Sequence, residues 1–356
     1  MTTIQDVARL AHVSVSSVSN VLNGKTDRMR AETHARIMDA IRKLGYRPNQ
    51  AARQLKTGRT PIIGLLVPTT ANPFFGQLAM AMEVHAQQQH GHRVLLCNTY
   101  RDKQQEAAMF DDLLAFGVGA VIVASSISDE RHIEAAIERG LAVVSFDLGV
   151  EPGAAARHDH VLPDNRLAGE LAASHLIQQG HTRLAFVMPK GLTYSRRHKI
   201  EGFMAAIDRA GPHVSGRVIE GKTATKFGDT ELAGLGHELA ATLVQLPARP
   251  TGIVTVNDMM AMGLMAGIRS QGLSVPQDIS VVGMDDLEIS AYTWPPLTSI
   301  RMPVAEMART LVDRAILRLK QPDLDGEEVR FTPTLTLRDS VAGPADARVS
   351  GTGTTT

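Results

Sequence analysis

Carboxylate, amide and hydroxyl side chains come directly after four short apolar runs of the chain. Asp147 follows AVVSF, Asn257 follows GIVTV and Asp285 follows ISVVGM, while Ser125 follows AVIVA. Groups of this kind, once brought together, can make paired hydrogen bonds to the neighbouring hydroxyls of a small polar molecule. We therefore include all four residues in a predicted ligand site.

An aromatic pair and a cationic segment extend the same candidate site. Phe74 and Phe75 come shortly after the apolar run IIGLLV, where one ring can stack on a sugar or a base. Arg196 and Lys199 lie in SRRHKIEGF and can donate to ligand oxygens. Asp258 is different, because a carboxylate directly before a predicted helix is more simply explained as its cap.

Apolar strands alternate with helical segments from residue 61 onward. Because the strand runs are continuously apolar, they predict parallel sheets that are covered on both faces. Two such series predict two similar α/β lobes. Ligands of open α/β sheets bind beyond the carboxyl ends of the strands, which is where the side chains named above are expected to lie.

Two short helices with a tight turn between them are predicted at the N-terminus. Apolar residues recur with helical spacing over residues 4–11 and again over 15–22, and only His12-Val13-Ser14 separates the runs. Ser14 is a suitable N-cap for the second helix. A helix-turn-helix of this kind places its second helix in the major groove of DNA. The alternative is a small three-helix module that binds protein.

The charge of the chain is unevenly distributed. Residues 1–60 contain 11 Lys and Arg against 4 Asp and Glu, and the remainder contains 26 against 33, although the whole chain has a formal charge of zero. A basic N-terminal segment on an acidic body is typical of a domain that contacts phosphates. A third helix over 32–44 (ETHARIMDAIRKL), ended by Gly45, completes this domain.

The first sixty residues also carry a specific resemblance. TIQDVARLAHVSVSSVSNVLNGK is followed at the right separation by LGYRPNQAARQLKTGRT, and the chain resembles the lactose- and galactose-repressor (LacI–GalR) type of bacterial transcriptional regulators to about residue 340. The resemblance implies a small all-α helix-turn-helix DNA-binding domain over residues 1–48 and a hinge helix with its linker over 49–60. An effector-binding and dimerisation domain of the periplasmic-binding-protein type, an α/β fold with parallel sheets, then covers 61–340.

That effector-binding domain is predicted to contain two lobes. Lobe 1 covers about 61–163 and 292–325, and lobe 2 covers about 164–291 and 326–340. The remaining segment, 341–356, is small and polar and is predicted to be a disordered tail. It lacks leucine heptads, which in the family accompany tetramers, so we expect a homodimer.

The resemblance also implies the residues that contact DNA. Val15, Ser16 and Asn20 match the family's base-reading positions, and the hinge helix is expected to place Ala52 and Leu55 in the minor groove, with Leu55 wedged between base pairs. The alternative for Leu55 is packing on the next domain. The residues expected to contact or orient on phosphates are Ser14, Ser17, Ser19, Asn23, Tyr46 and Asn49.

For the effector, the resemblance assigns ligand contact to Asp147, Asn257 and Asp285. The sequence departs from the family at Lys199, where an arginine usually clamps the effector, and at Thr223, where an aromatic residue is common. Lysine cannot form the bidentate fork of arginine. We therefore predict a sugar, polyol or sugar phosphate rather than a purine.

Several other classes of protein are not supported by the sequence. No glycine-rich nucleotide loop, Gly-x-Ser-x-Gly elbow or His-Glu-x-x-His segment is present, so we predict no enzymatic activity and no cofactor. His158 and His160 alternate on a strand and point to one side with few other ligands nearby, so we predict no metal site. The single Cys97 excludes internal disulfides, and no apolar run approaches eighteen residues. Because no signal peptide is evident either, a cytoplasmic protein is expected.

These observations together predict a homodimeric regulator, most simply a repressor. It binds palindromic operator DNA, and a sugar-like small molecule controls that binding from between the lobes. The alternative is a solute-binding or sensor protein whose N-terminal helices bind a protein partner.

Asn20 replaces an arginine that is common at its position in the family, and this predicts an unusual half-site. Arginine favours guanine and asparagine favours adenine, because each forms a bidentate pair with that base. Selection from a randomised operator library is expected to return a half-site with an altered base at the position read by Asn20. Recovery of the family's commonest half-site would contradict this assignment.

Overall fold

The fold was described from a computed structural model of the chain. The structure describes residues 2–22, 26, 29–46, 60–150, 156–223 and 230–344. Contacts divide the chain into two units, Met1–Thr60 and Pro61–Thr356. The predicted hinge segment, residues 49–60, lies outside the described residues apart from Thr60, which begins the first strand.

The N-terminal unit contains three described helices, α1 (Ile4–Leu10), α2 (Val15–Leu22) and α3 (Ala31–Leu44). A capping box begins α1, because the Asp6 amide donates to Thr3 Oγ1 at 3.3 Å and the Thr3 amide donates to Asp6 Oδ2 at 2.9 Å. Gly45 ends α3 in the left-handed conformation, with φ of 56°. One fully buried side chain from each helix forms the core: Val7, Val18 and Ile37.

The second unit contains two six-stranded sheets, and each defines a lobe. The sheet of lobe 1 has the strand order β11-β5-β4-β3-β1-β2. Its strands are β1 (Thr60–Val67), β2 (Arg93–Asn98), β3 (Val118–Val123), β4 (Ala142–Phe146), β5 (Asp159–Pro163) and β11 (Glu328–Phe331). Its helices are α4 (Pro73–His90), α5 (Lys103–Ala115), α6 (Arg131–Glu138) and α11 (Val304–Lys320).

The sheet of lobe 2 repeats this plan with the strand order β12-β10-β9-β8-β6-β7. Its strands are β6 (Arg183–Pro189), β7 (Ser215–Gly221), β8 (Gly252–Thr255), β9 (Ser280–Asp285), β10 (Thr298–Arg301) and β12 (Thr334–Thr336). Its helices are α7 (Asn165–Gln178), α8 (Tyr194–Ala210), α9 (Leu232–Val244) and α10 (Asp258–Ser270), and a 3₁₀ turn covers Glu288–Tyr292. Only β12 runs antiparallel to its described neighbour, so the α/β prediction with parallel sheets is confirmed.

The chain passes between the lobes at positions that differ from the predicted ones. Strand β10 pairs in parallel with β9 and belongs to lobe 2, although it falls within the segment 292–325 that was assigned to lobe 1. Strand β11 pairs with β5 and belongs to lobe 1, although 326–340 was assigned to lobe 2. The sequence of a short strand does not indicate which strand it pairs with. Only the hydrogen-bonded register shows the sheet to which β10 and β11 belong.

The predicted tail also begins too early. Ala342 accepts a hydrogen bond from Ser280 Oγ at 2.9 Å and donates to the same oxygen at 3.0 Å. Its carbonyl also lies 2.9 Å from His181 Nε2. The segment 341–344 is therefore part of lobe 2, whereas 345–356 lies outside the described residues. Within the described ranges, none of the helices has both the length and the apolar character that crossing a membrane requires.

Two glycines allow α7 and α8 to touch through their backbones. A Cβ atom built on Gly202 would lie 1.8 Å from the carbonyl oxygen of Arg166, and one built on Gly169 would lie 1.9 Å from that of Lys199. Both distances are far inside van der Waals contact, so any larger residue must force the helices apart. This reciprocal contact fixes the spacing of two helices whose first turns face the space between the lobes.

Gly202→Ala is expected to destabilise the second unit. The added methyl must displace the backbone of α7, and overpacking of this kind typically costs about 1–3 kcal/mol. The matched control is Gly234→Ala in α9, because a Cβ there meets no atom within 4 Å. That control should raise the stability slightly, by about 0.5–1 kcal/mol, since alanine favours helix more than glycine does. Thermal unfolding of both variants measures the difference, and equal melting temperatures would contradict the close-contact interpretation.

Candidate functional site

A polar cleft lies between the two lobes at the carboxyl ends of both sheets. Seven of the eight predicted effector residues line it: Phe74, Phe75, Asp147, Arg196, Lys199, Asn257 and Asp285. The strand-end rule thus places side chains that are far apart in the sequence around one space.

Aromatic rings form the lobe 1 wall of the cleft. Phe74 stacks on Phe146 with a centroid distance of 6.1 Å and an interplanar angle of 18°, and it meets Phe75 edge-on at 5.5 Å. Asn72 caps α4 by accepting a hydrogen bond from the Phe74 amide at 3.1 Å. The cap orients the first turn of α4, so that both rings of that turn are held at the cleft.

Asp147 connects the two lobes directly. It follows β4 in lobe 1 with a left-handed φ of 61°, and its Oδ1 accepts a hydrogen bond from Asn165 Nδ2 at 2.8 Å. Asn165 is the first residue of α7 in lobe 2. A second connection joins Ser126 to Ser195, with 3.0 Å between their hydroxyl oxygens. These polar contacts hold the lobes together around the cleft.

Two cations lie on the lobe 2 side, on the first turns of α8. Lys199 is 9% exposed, and its Nζ donates to the Val256 carbonyl at 3.2 Å. Arg196 is also buried and donates to the Gly191 carbonyl at 2.9 Å. Each cation donates to a main-chain carbonyl and lines the cleft, so both can also donate to a bound ligand.

Asp285 is the strongest electrostatic feature of the cleft. Its Oδ2 is buried and has no hydrogen-bond partner among the described residues, and the residue has a φ of 114° in the left-handed region. Burial raises the pKa of this carboxyl group to about 8, against the opposing influence of Lys199 and of the Asn72 amide. A buried acceptor that lacks a partner carries a desolvation penalty, which a donor from a bound ligand can relieve.

The roles predicted for Asn257 and Asp258 are partly exchanged. Asn257 is the N-cap of α10, because its Oδ1 accepts from the Met260 amide at 3.0 Å, and it also lines the cleft. Asp258 does not cap the helix. Its buried carboxylate accepts from the Leu287 amide at 2.8 Å and from the hydroxyls of Ser290 and Ser299 at 2.6 and 2.5 Å. The capping prediction is wrong by one residue, because the helix begins at Asp258 itself.

Ser125 is the predicted effector residue that does not line the cleft. It is 1% exposed, its carbonyl accepts from Arg101, and its hydroxyl has no hydrogen-bond partner in the part of the chain that the structure describes. Arg101 instead reaches the cleft. Sequence reasoning also missed Asn165 and Ser195, which stand at the first turns of α7 and α8. The position of these two residues at helix starts that face the strand ends, and not their residue type, is the signal that would have identified them.

The N-terminal unit exposes four of the eleven predicted DNA-contacting side chains. Ser14, Val15, Ser16 and Asn20 are exposed, and Val15 is 42% exposed despite being apolar. Ser14 accepts a hydrogen bond from the Ser17 amide at 3.1 Å, as expected for a cap of α2. Ser17, Ser19 and Tyr46 are half-buried, and Tyr46 packs against the core of this unit. Asn23, Asn49, Ala52 and Leu55 lie outside the described residues.

A three-helix unit with an uncharged, hydrogen-bonding second helix and a two-lobed α/β unit with a polar cleft define a ligand-responsive DNA-binding protein. Residues 3–49 match the family model for bacterial regulatory proteins of the lacI family, and residues 173–341 match that for a periplasmic binding protein-like domain. The chain belongs to the lacI family of bacterial regulatory proteins. It is a transcriptional regulator and not an enzyme, as the sequence predicted.

Three similar proteins illustrate this relationship. The ribose operon repressor of Escherichia coli (strain K12) is 34% identical over 96% of this chain and 100% of its own length. A lacI-family regulator from Enterococcus faecium, solved with bound ribose, is 28% identical over 79% of this chain and 99% of its own, with a TM-score of 0.68. The Lac repressor dimer bound to operator and an anti-inducer is 24% identical over 96% and 99%, with a TM-score of 0.80, which shows a shared fold.

Asp285→Asn is expected to stabilise the ligand-free protein above pH 5. The unfolded carboxyl group ionises near its ordinary pKa of 3.8 and the folded one near 8, so the folded state loses stability as the pH rises between these values. An uncharged amide removes that loss. The melting temperature of the variant, relative to that of the wild type, should therefore increase from pH 4 to pH 8.

The neighbouring Asp286→Asn provides a control of opposite sign. Burial opposes ionisation of Asp286, but ion pairs with Arg301 at 2.6 Å and Arg338 at 2.7 Å outweigh it and lower the pKa. This carboxylate contributes stability that is present at neutral pH and is lost as the pH falls. Asp286→Asn should thus lower the melting temperature at pH 7. Parallel shifts in the two variants would refute the assignment for Asp285.

Proposed function

We propose that this regulator is a homodimeric, cytoplasmic repressor whose affinity for palindromic operator DNA is set by a small sugar or sugar derivative bound in the cleft. The observation that carries the proposal is the buried carboxylate of Asp285, whose Oδ2 has no hydrogen-bond partner among the described residues, in a cleft that Lys199 and the inter-lobe pair of Asp147 and Asn165 also line. Such a site offers acceptors and donors to a ligand that touches both lobes.

A polyhydroxylated ligand suits the chemistry of these groups. Asp285 and Asp147 accept from hydroxyls, whereas Lys199 and Asn165 donate to hydroxyl or ring oxygens. The rings of Phe74 and Phe75 offer an apolar face against which the C–H face of a sugar can pack. The similarity to a ribose operon repressor and to a ribose-bound regulator supports a pentose as the first candidate.

The mechanism is a population shift between lobe arrangements. The ligand competes for Asp147 and Asn165, whose hydrogen bond now joins the lobes, and for the carboxylate of Asp285. A ligand that binds one arrangement more tightly increases the population of that arrangement, and the hinge segment, which precedes lobe 1 in the chain, responds. By linkage, operator DNA changes ligand affinity by the same factor.

DNA recognition rests on the exposed surface of α2. Val15, Ser16 and Asn20 face base edges, and the serines around them orient on phosphates. Leu55, in the hinge, wedges into the minor groove. A two-fold symmetric dimer presents two such helices to the two halves of a palindrome. The exposed apolar side chains of Met80 and Val84, one turn apart on α4, support the pairing of lobe 1 with a second copy.

Operator binding by the full chain, titrated with ligands, tests this function. DNA from upstream of its own gene is labelled for fluorescence anisotropy, and D-ribose, other pentoses, hexoses, sugar phosphates and nucleobases are added in turn. At least one sugar-like compound should change the operator affinity several-fold. Lys199→Met should abolish that change and keep operator binding, because the lysine lines the cleft and lies outside the DNA-binding unit.

Two matched variants separate the ligand and DNA functions. Lys190→Met is the control for lost charge, because Lys190 is exposed and does not line the cleft, and it should respond to ligand as the wild type does. Leu55→Ala should weaken operator binding by up to a few kcal/mol, the cost of an unstacking step, without changing ligand affinity. DNA binding that no compound modulates would refute the effector proposal. Failure to find any operator in a genome-wide search would favour a solute sensor.

A further inference from the structure

A second polar cluster lies in lobe 1, formed by Glu130, His158 and His160. One potential ligand atom from each residue lies within 4.8 Å of the others. The two histidine rings are 4.3 Å apart, and His158 Nε2 is 3.4 Å from Glu130 Oε1. All three residues line one cavity, which Leu148 and Gly149 also line.

The fold assembles this cluster from separate segments. His158 directly precedes β5 and His160 is its second residue, so the two alternate along the extended chain and lie on the same side. Asp159, between them, points the other way and is bound by Arg314 at 2.7 Å and Arg318 at 2.8 Å. Glu130 is the residue directly before α6. The sequence indicated only the two histidines, and the fold adds the carboxylate.

Two buried polar atoms of the cluster make no hydrogen bond to the described residues. His158 is 2% exposed, and within the described ranges neither its Nδ1 nor Glu130 Oε1 has a hydrogen-bond partner. Buried polar atoms are normally satisfied, so an arrangement of this kind points to a missing partner.

Each histidine uses one ring nitrogen for a hydrogen bond, and this arrangement suits metal coordination by the other nitrogen. His160 Nδ1 donates to the Leu148 carbonyl at 3.1 Å, which leaves the lone pair of Nε2 available. His158 Nε2 lies 2.7 Å from Ser145 Oγ. Metal-bound histidines usually use one nitrogen for the metal and the other for such a hydrogen bond. Two histidines and one carboxylate are the protein ligands of a common type of zinc site, in which water takes the fourth position.

The geometry points to a binding site for Zn²⁺, or a similar borderline divalent cation, at Glu130, His158 and His160. Ligand atoms at about 2.0–2.2 Å from zinc lie about 3.3 Å from each other in a tetrahedron, and the candidate ligand atoms of these three residues already lie within 4.8 Å of one another. The nearby cation Arg157 is paired with Glu134 at 3.0 Å, and Arg318 is paired with Asp159. Both positive charges are thereby compensated close to the site.

Metal binding by the full chain tests this site. The protein is treated with a chelator, dialysed and equilibrated with Zn²⁺, and bound metal is measured by mass spectrometry. Co²⁺ is used in a parallel sample, because its visible absorption reports the coordination geometry. We expect one ion per chain. Glu130→Gln and His160→Gln should each weaken binding at least tenfold, since the loss of a ligand should exceed the tenfold to hundredfold effect of a second-shell change.

The control addresses a second cluster of histidines. His85 Nε2 and His90 Nε2 both lie close to Asp313 Oδ1, at 2.8 and 2.7 Å, on a more exposed surface. His90→Gln should leave zinc binding by the buried site unchanged. Circular dichroism and the melting temperature of each metal-free variant establish that it is folded. Absence of bound metal, stoichiometric binding that survives both Glu130→Gln and His160→Gln, or loss of binding in His90→Gln alone would overturn the proposal.

Discussion

The buried carboxylate of Asp258 is the constraint on which the geometry of the cleft depends. It accepts one main-chain and two hydroxyl hydrogen bonds from Leu287, Ser290 and Ser299, and it thereby connects the start of α10 with the segment after β9 and with β10. Burial raises its pKa to about 6, so three donors compensate for a charge that is costly at this depth. Asp285 stands two residues before the first of these donors. Its strained backbone and unpartnered oxygen persist because the Asp258 network holds the adjoining segment in place.

The sequence predicted the fold better than it predicted the lobe boundaries. Continuous apolar runs such as 252–256 have a physical reason to lie inside a parallel sheet, and their number and order are visible without any structure. The short strands Thr298–Arg301 and Glu328–Phe331 lack such a signature, because either sheet could accept them. Their placement depends on long-range hydrogen bonding, and local patterns contain no information about it.

Among the polar side chains of the cleft, those that directly follow a strand were predicted, whereas two that begin a helix were missed. Asp147 and Asp285 were found because strand ends can be located from the apolar runs alone. Asn165 and Ser195 stand at helix starts, where asparagine and serine are common for capping alone, so their type carries little information about ligands. The charge of Lys199 was visible, but its burial against the Val256 carbonyl was not.

The backbone contact at Gly169 and Gly202 limits how the ligand specificity of this protein can change in evolution. Asn165 and Lys199 lie within about one turn of these glycines, on helices that meet through main-chain atoms at their crossing. An interface made of side chains can adjust by repacking, but one made of main chain has no such freedom. The backbone positions of Asn165 and Lys199 relative to each other are therefore fixed by the helix contact. New specificity must come from exchanging side chains on a fixed frame, and variation should concentrate on the opposite wall, where Phe74 and Phe75 stand.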